Sequence, residues 1–121
     1  MQAATWLLTF GALLLACGDP ILGMHGTVRS APGTPIAGAN VTLRCVDRVV
    51  LEAKTNEKGV FSNGTAGMAN PGCMVRIEKD GYAPREVKLT DYCTEHDGKP
   101  RHVETGPCSA TLAIELEPAK Q

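Results

Sequence analysis

Apolar and polar residues alternate along this chain in short runs, separated by Gly, Pro, Asn and Asp. Nothing after Cys17 carries a helical period. Residues 24–29 open the series, and Pro32, Gly33 and Pro35 break it, because proline fixes φ and glycine admits positive φ. In Asn40-Val41-Thr42-Leu43-Arg44-Cys45 the apolar positions Val41, Leu43 and Cys45 share one face. Residues 49–54 alternate more loosely, with Val49, Leu51 and Ala53 together. Asn56-Glu57-Lys58-Gly59 has the composition of a tight turn and leads into Val60-Phe61, after which residues 62–72 read as a loose Gly- and Asn-rich stretch. Cys73, Val75 and Ile77 then face one way, residues 86–89 alternate again, and Leu112, Ile114 and Leu116 close the domain. Residues 91–107 read as an irregular charged loop bracketed by Cys93 and Cys108. Strands this short, each with one polar face, predict an all-β domain of two packed antiparallel sheets.

The N-terminus follows a different rule. Residues 6–16 are apolar apart from Thr9 and Gly11, and no Lys, Arg, Asp or Glu precedes Cys17. The run is too short to span a bilayer and has the length of a signal-peptide core, although residues 1–5 carry no basic side chain. Leu14-Leu15-Ala16-Cys17 resembles the lipobox of bacterial lipoproteins, with an aliphatic residue three before the cysteine and a small one just before it. Leu15 departs from the small residue more usual there. The resemblance implies a signal peptide over 1–16, cleavage after Ala16, and Cys17 as the lipidated first residue of a short tether, 17–23. It also accounts for an odd cysteine count of five, because four remain to pair.

Composition narrows the possibilities. A net charge of -1 supplies no basic field for nucleic acid or for an anionic membrane. Two of the five aromatic residues, Trp6 and Phe10, lie before Cys17, so the rest of the chain lacks stacking platforms for single-stranded bases. A chain of 121 residues holds one domain, and a core with so few large side chains calls for covalent braces.

Gly26-Thr27-Val28, Pro35-Ile36-Ala37-Gly38-Ala39-Asn40-Val41-Thr42-Leu43, Thr55-Asn56-Glu57-Lys58-Gly59-Val60-Phe61 and Gly81-Tyr82 occur in that order. Together they resemble the carboxypeptidase regulatory-like domain. The resemblance implies a seven-stranded antiparallel β-sandwich of the prealbumin-like (transthyretin-like) type over residues 24–118, with structural roles for the matched residues. Two departures both carry cysteines: Gly72-Cys73-Met74 in place of a Gly-x-Tyr entry, and the 91–107 loop as an insertion. Three pairings of four cysteines are possible. Strand parity favours Cys45 with Cys73 inside the sandwich, leaving Cys93 with Cys108 at the base of the loop.

The histidines are the remaining candidates. The transthyretin-like fold includes 5-hydroxyisourate hydrolases, whose C-terminal Tyr-Arg-Gly-Ser tail has no counterpart in Glu117-Pro118-Ala119-Lys120-Gln121. His25 then reads as a solvent-facing residue of the first strand. His96 and His102, with Glu95, Asp97 and Glu104, are weak candidates for a loop metal site, since their spacing matches no structural zinc pattern. Two sequons, Asn40-Val41-Thr42 and Asn63-Gly64-Thr65, carry meaning only in a glycosylating cell. The expectation is a non-enzymatic envelope lipoprotein without a cofactor, held to a membrane by its lipid. It would be a structural part or recognise an envelope protein or glycan, most plainly through the 91–107 loop.

Overall fold

Alternation becomes burial most completely in the last strand, Cys108–Leu116, where every second residue from Cys108 is buried and the residues between are exposed. The computed structural model describes residues 21–120. Its strands are β1 (Ile21–Ser30), β2 (Asn40–Cys45), β3 (Arg48–Lys54), β4 (Val60–Ala66), β5 (Cys73–Glu78), β6 (Arg85–Lys88), β7 (Cys93–Thr94) and β8 (Cys108–Leu116). A 3-10 turn, Leu89–Tyr92, joins β6 to β7. They form two four-stranded sheets in the orders β4-β1-β8-β7 and β3-β2-β5-β6. Leu22, Met24, Val28, Leu112 and Ile114 from the first sheet and Val41, Leu43, Val75 and Ile77 from the second are buried in one core.

The chain is all-β, as the alternation predicts, but two details are corrected. There are eight strands rather than seven, because β7 is only two residues long and lies inside what the sequence presents as loop. Nor are the sheets wholly antiparallel, since β1 and β8 run parallel from Leu22 opposite Cys108 to Ser30 opposite Leu116. β1 also begins at Ile21, within the expected 17–23 tether, because Leu22 is buried and extends the inward face.

Two further differences have local causes. The pairing of β2 with β3 shifts register after Leu43, so Val49 lies opposite Arg44 and turns outward while Leu51 stays buried. β4 continues through Ser62, Asn63, Gly64 and Thr65 along β1, although only Phe61 is buried on it. An edge strand with one buried residue leaves no alternation to read.

The turn at Asn56 forms as its composition predicts. Asn56 Oδ1 accepts hydrogen bonds from the backbone N–H groups of Lys58 (2.9 Å) and Val60 (3.0 Å), and Gly59 takes φ +74°. Only glycine suits that position, because a side chain would also press on the Val28 carbonyl. Next to it, the buried Thr55 hydroxyl joins two loops, accepting from the Ala39 N–H at 2.9 Å and donating to the Ile36 carbonyl at 2.6 Å. Thr55→Val keeps the shape but strands both backbone groups. It is expected to lower stability by about 2–3 kcal/mol in urea unfolding, with Thr55→Ser losing less.

Candidate functional site

The outer face of the β4-β1-β8-β7 sheet places three side chains from three strands in a row. The parallel register sets His25 opposite Thr111, and the antiparallel register of β7 sets Thr94 opposite Ser109. His25 Nε2 lies 3.1 Å from Thr111 Oγ1, which lies 3.0 Å from Thr94 Oγ1. Thr94 Oγ1 donates to the Ser109 carbonyl at 3.0 Å. With Thr94 donating to the Ser109 carbonyl, Thr111 donates to Thr94 and accepts from His25 Nε2–H, so one continuous row ties the ring to the two hydroxyls.

Thr94 and Ser109 also belong to a groove of about 550 Å³. Ile21, Pro107 and Cys108 give it an apolar wall, while Thr94, Ser109, Glu95, His96 and Arg101 give it a polar one. The loop behind this groove is folded rather than loose. The Glu95 N–H donates to the Lys99 carbonyl at 2.8 Å, and the Arg101 N–H donates to the Cys93 carbonyl at 2.8 Å. Ala69 and Gly106 exchange backbone hydrogen bonds of 2.7 and 3.0 Å, tying the loop's far end to the chain after β4.

Cysteines secure this end of the molecule. Cys45 is bonded to Cys73, across directly opposed positions of β2 and β5. Cys93 is bonded to Cys108, closing a sequence separation of 15 residues around the loop. Cys17 lies outside the described residues. His96 and His102 are not brought together: His96 lines the groove just described, and His102 lines a second one of about 440 Å³ with Lys88 and Asp91. His102 Nε2 lies 3.8 Å from Glu104 Oε1 on the exposed surface. Among the described residues no group of three or more His, Cys, Asp and Glu side chains is placed to hold a metal ion.

The sequence pointed to His25 as a residue facing solvent and did not single out Thr94 or Thr111. The missing signal is the register between β1 and β8, which joins residues 86 apart in the chain. The one trace of it in the sequence is that Thr111 occupies an outward position of a strand whose inward face is otherwise clear.

No protein-family model matches the chain, and neither does any curated protein. Solved structures do resemble it. Hydroxyquinol 1,2-dioxygenase from Pseudomonas putida DLL-E4 superposes with a TM-score of 0.59 and 12% identity over 85% of this chain and 58% of that one. Chlorocatechol 1,2-dioxygenase from Pseudomonas putida gives 0.59 and 17% over 82% and 61%. Catechol 1,2-dioxygenase from Pseudomonas arvilla C-1 gives 0.56 and 10% over 87% and 54%. The chain thus spans 54–61% of the length of these enzymes. At such identities the likeness shows a common fold.

These findings correct three expectations. The resemblance to the carboxypeptidase regulatory-like domain is not supported, because no such domain is found among the matches and the structural neighbours are dioxygenases. The turns that carried it are local solutions to strand connection, which unrelated sandwiches share. The expected non-enzymatic module for an envelope protein or glycan, and the expectation that the chain is not an enzyme, are overturned by the same neighbours, which by their names are 1,2-dioxygenases of hydroxyquinol, chlorocatechol and catechol. The hydroxyisourate alternative gains nothing from them.

Replacing Cys93 and Cys108 together by Ser frees β7 and the loop from the rest of the sheet. The chain-entropy model puts the loss at about 3 kcal/mol. The expected readout is trypsin cleavage after Arg101 in the double variant, under conditions where the parent protein resists it.

Proposed function

We propose that this is an exported, membrane-tethered domain with a dioxygenase-type fold, which takes a small hydroxylated aromatic ring in the groove lined by Ile21, Pro107, Thr94, Ser109 and Arg101. The observation that carries this reading is that groove, where the hydrogen-bonded row from His25 through Thr111 ends on Thr94. Its lining combines apolar and polar side chains, which suits a flat ring carrying hydroxyls. The fold likeness to enzymes named for catechol and hydroxyquinol supports the choice of a hydroxylated ring.

The residues bind and orient the ring: the Thr94 and Ser109 side chains meet its hydroxyls, and Thr111 with His25 holds Thr94 in place. Arg101 on the polar wall favours a phenolate by its charge. Inserting oxygen into such a ring draws on a redox metal or organic cofactor. The described residues do not fit a metal centre, since no ligand group of three or more converges, and no step is taken through one.

Location belongs to Cys17. Its resemblance to a lipobox cysteine supports an acylated N-terminus, and one acylated cysteine bearing two or three chains suffices for stable anchoring. Labelled palmitate is expected in the wild-type protein expressed in a bacterium and absent from Cys17→Ala. Equal labelling in both removes the anchor from this reading.

Titration calorimetry of residues 17–121 with catechol and with hydroxyquinol tests the substrate. Saturable binding is expected, weakened about tenfold in Thr94→Val, as loss of one hydrogen bond to the ring would do. A smaller loss is expected in Thr111→Val, with unchanged circular dichroism in both. Absence of heat with either compound, or wild-type binding by Thr94→Val, overturns the proposal.

A further inference from the structure

At the end of the domain where the chain enters at Ile21, three large apolar side chains point into solvent: Ile21 at 64% exposure, Val46 at 74% and Met68 at 52%. Topology puts them there together. Ile21 begins β1 opposite Ala66, the last residue of β4, and Met68 follows two residues later. Val46 forms the tip of the β2–β3 turn, and its N–H donates to the Gly72 carbonyl at 3.0 Å. Gly72 in turn sits three residues beyond Ala69, which bonds to Gly106 of the loop. Both disulfides brace this same end, through Cys45 with Cys73 and Cys93 with Cys108.

Val46 carries a second mark. It is the one non-glycine residue with positive φ among the described residues, at 62°. A β-branched side chain is poorly suited to that conformation, where Asn or Gly would be at ease. A strained apolar residue held outward at a turn tip is a feature to be explained by what it touches.

We infer that Ile21, Val46 and Met68 seat this end of the domain on the lipid surface that holds Cys17, a reading that rests on Cys17 being the anchor. Only four peptide steps separate Cys17 from Ile21, a reach of at most about 14 Å. That is comparable with the depth of the headgroup layer, so the tether keeps this end against the membrane. Charge does not draw this end to an anionic surface: the three basic residues Arg48, Lys99 and Arg101 are outnumbered by the four acidic residues Asp47, Glu95, Asp97 and Glu104. Insertion of apolar tips is the attraction that remains. Bracing by two disulfides suits a face that meets the bilayer as a rigid unit.

The test uses residues 17–121, which contain no tryptophan because Trp6 is the only one in the chain. With the other four cysteines in disulfides, the Cys17 thiol couples to a maleimide lipid in vesicles of brominated phosphatidylcholine. Val46→Trp, Met68→Trp and Val60→Trp are coupled in turn, Val60 lying at the opposite end of β4. The expected result is that the V46W and M68W proteins lose most of their emission to the bromines while V60W keeps its own. Quenching of V46W and M68W no greater than that of V60W overturns the inference, and agreement of two reporters guards against a misfolded turn in one. Because the coupling is chemical, failure of Cys17 to be acylated in cells leaves this outcome legible and is read separately by palmitate labelling.

Discussion

β1 lies against β8 so closely at Gly26 that a Cβ there would overlap the Leu112 carbonyl. A glycine inside a strand marks a place where another backbone comes near, and here it permits the pairing on which the molecule depends. Through it the first and last strands become the parallel centre of one sheet, with β4 and β7 added at either side. Joining residues 86 apart costs about 4 kcal/mol in chain entropy, and the alternating inward faces of both strands offset it by burial. His25 is the neighbour of Gly26, so the same contact that registers the strands sets His25 opposite Thr111. Fold and candidate chemistry share one constraint.

That constraint also decides what could be read in advance. Strands with a buried face on one side announce themselves: β2, β5 and β8 alternate in sequence and in burial alike. The Asn56 turn was legible because its chemistry is local, a side-chain oxygen meeting backbone groups two and four residues on. β7 was hidden because two residues have no period. Val49 does not share a face with Leu51, as its spacing suggests, because a bulge at Val50 reverses the parity of β3. The row from His25 to Thr94 was illegible for a different reason. Each residue alone is an ordinary outward position, and only a long-range register makes them neighbours.

The likeness to dioxygenases is of the same kind. A common fold at 10–17% identity is possible because the frame follows from which positions are apolar, and many side chains satisfy that requirement. Reactive groups on the outer face are under no such control. This chain keeps the sandwich-like frame while its described residues gather no metal-ligand set. What it offers is a histidine hydrogen-bonded to two linked hydroxyls, one of which lines an open groove.

The groove and the apolar tips fall at one end, and this joins the two proposals physically. Ile21 belongs to both, as part of the groove's apolar wall and as one of the exposed side chains near the tether. A hydroxylated aromatic ring is itself amphipathic and concentrates where headgroups meet acyl chains, as tyrosine side chains do. A groove opening beside that layer meets such a ring at a higher local concentration than bulk water provides, so weak intrinsic affinity is partly offset by position. Under the two proposals together, distance from the membrane is a functional variable, set by the short stretch from Cys17 to Ile21.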